Sequence, residues 1–192
     1  MYNTPFISSN INFEAEPNGI CFDNNYCLTS ERNTAILSEL IPIYPNQTQI
    51  TRELKDTSYF INYVLKTGDY SLAKERKYKI SHIAECISQI ISFGNCQNNC
   101  CVYISIYHKN AFVFVKRISD PIFSNVFKFS TAEDFLYHIQ SVFEALNLNN
   151  SNDKIFVLGS IDTESQIVRL LKIYFLNVAV EHNFNFSGEY SV

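Results

Sequence analysis

The sequence predicts an α/β protein with a mixed sheet, and three observations carry that expectation. Runs at strand spacing alternate with runs at helical spacing through the second half. Two capping boxes mark where helices should begin. A chain with 46% hydrophobic and 15% aromatic residues has enough apolar surface to bury a real core. A polar, glycine-containing stretch around Gly94, FGNCQNNCC, separates two patterned regions, 1–94 and 95–192.

In the first region, SYFINYVL (58–65) and KYKI (77–80) read as strands, and the stripe Ile83, Ile87, Ile90 and Ile91 as a helix. Residues 1–50 contain Pro5, Pro17, Pro42 and Pro45 and are expected to be irregular, with a short helix around Thr34 to Leu40, packed on the lobes. In the second region, Val102, Ile104 and Ile106 alternate with Cys101, Tyr103, Ser105 and Tyr107, the period of a strand buried mainly on one face. The turn His108-Lys109-Asn110 returns the chain into AFVFV (111–115). Pro121 favours a further turn before a shorter run from Val126 to Phe129, completing an antiparallel meander.

Ser130-Thr131-Ala132-Glu133 reads as a capping box, and Phe135, Leu136, Ile139, Val142, Phe143 and Leu146 then fall on one helical face. After the polar NLNNSND, Ile155 to Leu158 suits a strand covered on both faces. Thr163 with Gln166 reads as a second box, opening a helix whose stripe is Ile167, Leu170, Leu171 and Phe175. Val178 to Val180 supplies a last strand. The order β-β-β-α-β-α-β over residues 100–181 is that of a ribonuclease-H-like lobe, the repeating half of the actin and sugar-kinase ATPases.

Residues 127–180 also resemble the C-terminal part of a bacterial family, frequent in Bacteroidetes, known as domain of unknown function 3822. The resemblance rests on Phe129 and Thr131 at a helix entry, Asp134-Phe135-Leu136-Tyr137 at its start, an acidic loop, Gly159 closing a strand, and Tyr174-Phe175 near the next helix end. It implies an actin-like ATPase-related fold and brings no catalytic residues. Because family members are longer at the N-terminus, it also implies a reduced first lobe.

Several chemistries lack their residues. Actin-like ATPases hold phosphate with glycine-rich hairpins and manage the metal with an aspartate. The equivalent turn here, Ile106 to Ala111, has neither Gly nor Asp, although Lys109 could meet an anion. The five glycines, Gly19, Gly68, Gly94, Gly159 and Gly188, never cluster. A two-metal nuclease needs a carboxylate within the first strand, and CVYISIYH has none. There is no G-x-S-x-G, and His82, His108, His138 and His182 lie apart, as surface or partner-facing imidazoles.

Two weaker sites remain as alternatives. Gly159, Ser160 and Asp162 lie between a strand and a helix, where free amides could contact a nucleotide, or where Asp162 or Thr163 simply caps. Cys96, Cys100 and Cys101 are clustered soft ligands for zinc or a redox site, but no second pair completes a tetrahedron, and free thiols at a strand start account for them. No cofactor is expected. A net charge of −4 offers no general attraction for nucleic acid, and no apolar run is long enough to span a bilayer. The N-terminal MYNTPFISSNINFE lacks the pattern of a secretion signal, which makes the cytoplasm the expected location. The leading expectation is a non-catalytic protein-interaction or scaffold module with a protein partner or as a homodimer.

Overall fold

The computed structural model describes residues 18–21, 26–29, 43–54, 58–76, 79–82, 85, 87, 99–118, 120–159 and 161–182. They form two compact units, divided between Phe93 and Gly94. The first contains β1 (Asn18–Cys21), β2 (Tyr26–Thr29), β3 (Gln47–Glu53), β4 (Phe60–Lys66), α1 (Thr67–Glu75) and β5 (Lys79–His82).

Strand β4 is the centre of this unit. It is flanked by antiparallel β2 and β3, while β1 and β5 pair in parallel in a separate two-stranded sheet. FINYVLK suits a central strand because its β-branched and aromatic residues fit a pleated surface covered on both faces. Ile61, Tyr63 and Leu65 are buried on one face, and Asn62 and Val64 on the other. The Thr51 hydroxyl donates to Asn62 Oδ1 at 2.6 Å, which offsets part of the cost of burying that amide. Residues 1–50, expected to be irregular, therefore carry β1, β2 and the start of β3. Strands as short as NGIC and YCLT leave no alternation to read, and pairing decides them. Helix α1 is a further addition. Its N-cap, Lys66, makes no side-chain bond, and Ala73 is the buried residue within it, so neither cap nor stripe announces it. The helix expected around Thr34 to Leu40 lies outside the described residues. Of the stripe Ile83, Ile87, Ile90 and Ile91, Ile87 is described, helical and buried, as is Glu85 near it.

The second unit contains β6 (Cys100–Tyr107), β7 (Asn110–Arg117), β8 (Asp120–Lys128), α2 (Ala132–Ala145), β9 (Lys154–Leu158), α3 (Gln166–Tyr174) and β10 (Val178–Glu181). Its sheet runs β10-β9-β6-β7-β8, with β6, β9 and β10 parallel and β7 antiparallel to both its neighbours. This is the order and direction expected of a ribonuclease-H-like lobe. Both helices lie on one face. Phe135, Leu136, Ile139, Val142 and Phe143 of α2, with Leu171 and Phe175 from α3 and its end, pack on Val102, Ile104, Ala111, Val113, Val115, Ile155 and Val157. Gln166 bonds Glu133 at one end and Phe175 meets Phe143 at the other, so the helices run parallel.

The opposite face is also apolar and buried. Tyr103, Phe112, Phe114, Val126 and Leu158 are each under 5% exposed, and Tyr103 stacks on Phe156 at 5.2 Å. Strand β6, expected to be buried mainly on one face, is thus buried on both, as its central position requires. Strand β8 is longer than its sequence suggests. It spans nine residues and takes in Pro121, which is tolerated because β8 is an edge and needs no outward N–H there.

The capping boxes shift by a residue or two. Thr131, not Ser130, caps α2: its hydroxyl accepts from Asp134 N at 3.1 Å, and Asp134 returns to Thr131 N at 3.2 Å. Ser165, not Thr163, caps α3 by accepting from Val168 N. Helix α2 ends in a Schellman motif, with Leu148 N donating to Phe143 O, Asn147 N to Glu144 O, and Asn147 held at φ 52° where glycine is usual. The polar NLNNSND is then a built corner. Asp153 is buried, its Oδ1 accepting from Cys100 N at 2.7 Å and its Oδ2 from Asn149 N at 2.6 Å.

Two measurements check this packing. Bonds to a charged acceptor contribute about 1.5–3 kcal/mol each, so Asp153→Ala should lower the unfolding free energy in urea by about 3 kcal/mol or more, and Asp153→Asn by less. Burial pushes the Tyr103 phenol from 10.0 up to about 12. The unfolded chain then loses this proton first, so its contribution is intact below pH 10 and is lost as pH rises from 10 towards 12. Tyr103→Phe should flatten the alkaline limb of a stability–pH curve.

Candidate functional site

Since β6, β9 and β10 are parallel, their carboxyl ends meet at one edge of the second unit, the usual ligand-binding edge of such sheets. The β6–β7 hairpin is there, with His108 and Lys109 forming its two-residue loop. His108 adopts φ 52°, a conformation that costs a non-glycine residue about 1 kcal/mol. The Lys109 carbonyl accepts from Phe129 N at 3.0 Å, which fastens the loop to the end of β8. Both loop residues carry exposed side chains, and the loop brings no carboxylate that could hold magnesium.

Gly159 follows β9 at the same edge. Its φ of +105° is closed to side-chain-bearing residues, although a Cβ there would meet no atom within 4 Å. Backbone geometry by itself accounts for a glycine at this position. Its N–H donates to Glu181 O at 3.2 Å, and its carbonyl accepts from Ile161 N at 2.9 Å. Asp162 Oδ1 accepts from Glu164 N at 2.9 Å, Asp162 O from Ser165 N, and Ser165 Oγ from Val168 N. The amides of Ile161, Glu164, Ser165 and Val168 around this helix entry are thus engaged by the chain itself. Asp162, Glu164 and Glu181 add negative charge beside them, and Arg169 lies 3.7 Å from Glu164. Ser160 lies outside the described residues.

Cys100 and Cys101 do not converge as a pair. Successive residues of a strand point to opposite faces, and Cys100 joins the core under the helices while Cys101 belongs to the other face. Cys100 is a buried free thiol whose Sγ accepts from Arg117 Nε at 3.3 Å, an interaction that raises the Arg117 pKa. Cys101 is disulfide-bonded, which corrects the expectation of a free thiol there. Cys96 lies outside the described residues, and no cluster of three metal-ligating side chains occurs among those described.

The histidines are dispersed. His82, expected at the surface, is fully buried with its ring 5.3 Å from Tyr63. His138 Nε2 bonds Lys128 O at 3.1 Å and stacks on Phe127. The feature that sequence reasoning passed over is apolar and exposed: Tyr137 on α2, with Ile173, Tyr174 and Leu176 at the end of α3, at 68%, 71%, 48% and 76% exposure. Its signal was present, because Ile173, Tyr174 and Leu176 fall off the stripe that ends at buried Phe175.

Comparison with known proteins bears on fold and family. The model of a family described as "Protein of unknown function (DUF3822)" matches residues 70–178. A protein of Bacteroides thetaiotaomicron VPI-5482, described as having an actin-like ATPase fold and unknown function, superposes with a TM-score of 0.74 at 15% identity. The match covers 85% of this chain and 67% of that one, so it reaches well into the first unit, and the fold is that of the actin-like ATPases. A foamy viral protease–reverse transcriptase in complex with dsDNA matches at a TM-score of 0.29 and 13% identity, over 67% of this chain and 32% of that one, too weakly to inform the fold. No curated protein matches. No described helix is long and apolar enough to cross a membrane.

With four amides of this entry engaged and acidic groups around them, millimolar ATP with magnesium should leave the thermal midpoint unchanged. Gly159→Ala should lower stability without ligand by about 1–2 kcal/mol, as forcing a Cβ into a positive-φ position does. A nucleotide-dependent shift in the wild type would place function at this edge.

Proposed function

This chain belongs to the DUF3822 family, and from that premise we propose that it is a non-catalytic, actin-like-fold protein that works by binding protein. The observation that carries the reading is the exposed apolar group Tyr137, Ile173, Tyr174 and Leu176. Apolar side chains scattered singly over a surface signify nothing, whereas three within four positions on an otherwise polar rim mark a contact surface. The second sheet face is buried and supplies no such surface, which leaves the helix layer to carry it.

A nucleotide-binding reading keeps the support of the fold alone. Against it stand the β6–β7 loop, without glycine or carboxylate, and the acidic surroundings of Gly159. Immobilised wild-type protein should retain a partner that the Leu176→Glu variant loses, both proteins being equally stable. Retention that survives Leu176→Glu and Ile173→Glu would remove this surface from the reading.

We further propose that the protein works in the bacterial cytoplasm. The buried Cys100 thiol is compatible with that setting, and the Cys101 disulfide opposes it, because such bonds are rare in reducing compartments. Thiol counting on acid-trapped protein from its native cell decides the matter. All six cysteines reactive after denaturation would agree with the cytoplasm, and a count lower by one bonded pair would point to an oxidising compartment.

A further inference from the structure

We propose that the partner is a second copy of this chain, docked through the layer formed by α2 and α3. This rests on the protein-binding reading and names its occupant. The outward row of α2 is Glu133, Tyr137, Gln140 and Glu144, at spacings of four, three and four. All four are exposed. The outward row of α3 and its end includes Arg169, Ile173 and Leu176, with Lys172 beside it, and these too are exposed. One row is acidic at both ends and the other basic in its first half. The two helices are parallel within the chain and start level, at the bond between Gln166 and Glu133.

Two copies facing each other through this layer are related by a two-fold axis lying within the interface. An axis directed across the helices would set α2 on α2 and α3 on α3, antiparallel. Glu133 would then face Glu144, and Arg169 and Lys172 would meet their own kind, which is repulsive. An axis directed along the helices instead sets α2 of each copy on α3 of the other. Levels are then preserved, at about 1.5 Å per residue. Glu133 lies about one turn below the partner copy's Arg169, whose side chain leans back towards it along the helix. Tyr137 comes between Arg169 and Ile173, and Glu144 comes level with Leu176, with Lys172 between the heights of Tyr137 and Glu144. Glu133 meets a basic residue and Tyr137 an apolar one, Glu144 lies beside Leu176, and symmetry makes every contact twice.

The patch is small. A 14-residue helix is about 21 Å long, and two side by side offer an interface at the low end of the range for specific complexes. The dimer should therefore be weak, with a dissociation constant in the micromolar range.

Light scattering coupled to size exclusion, on the full chain over a hundredfold dilution from about 100 μM, is the test. A dimer at the top of the series, dissociating on dilution, is expected. Ile173→Glu should render it monomeric throughout, with an unchanged circular dichroism spectrum. Glu133→Arg and Arg169→Glu should each weaken association about tenfold, and the double variant should restore it. A wild type monomeric at 100 μM overturns the self-association. Protein binding itself would then stand or fall on whether a different protein is retained by the wild type and lost by Leu176→Glu. A dimer indifferent to Ile173→Glu, or a double variant weaker than either single one, overturns the assigned face.

Discussion

The second unit depends on β9 entering between β6 and β10 in register, and a single carboxylate fixes that entry. Asp153 immediately precedes β9, and its two oxygens accept from the first residue of β6 and from the loop that follows α2. One group therefore joins the start of the central strand to the end of the crossover helix. A parallel strand has no tight hairpin to set its register, so its starting point has to be supplied by tertiary contacts. The surrounding asparagines complete the corner. Asn99 donates to Asn152 O, Asn177 to Ser151 O, and Asn149 Oδ1 accepts from Ser151 N and Asn152 N. Without this corner, the face built from Val102, Ile104, Ile155 and Val157 would have no fixed alignment under α2 and α3.

How legible this was depended on period and length. The α2 stripe could be read residue by residue, because six apolar side chains recur at helical spacing over about three turns and the buried set agrees. Strand β6 announced itself by alternation and β7 by its apolar run after the turn, and the β-β-β-α-β-α-β order led to the correct lobe. Burial of Tyr103 and Ser105 was not legible, because a central strand and an edge strand share one pattern until the neighbours are known. Pro121 misled for the same reason: whether a proline ends a strand or rides its edge is decided by which side lacks a partner. In the first unit, β1 and β2 are four residues each and pair with segments far along the chain, which leaves no local trace.

The candidate site was legible in its residues and illegible in its occupation. Sequence placed Gly159, Asp162 and the turn lysine at the carboxyl edge, where an actin-like fold would hold nucleotide. What it could not show was which amides were already engaged. Asp162 serves the turn into α3 through both its side chain and its carbonyl, and Ser165 takes over as cap. A helix entry capped by its own side chains has committed part of the donor set on which anion binding rests. The glycine that looks like a ligand contact is already required by its φ of +105°.

Helix α3 brings these strands of the argument to one element. Its inner side follows the core, with Val168, Leu171 and Phe175 buried, and its N-terminus is closed by Ser165. Neither task needs Ile173, Tyr174 or Leu176, which lie on either side of the last buried residue and face solvent. Charged side chains at those three positions would serve the fold equally well, since exposed helix positions are decided by propensity and solvation more than by packing. The apolar surface is thus separable from folding, whereas Gly159 and Asp153 are not. That separability makes the helix layer, and not the carboxyl edge, the place where a change of side chain reports on function alone.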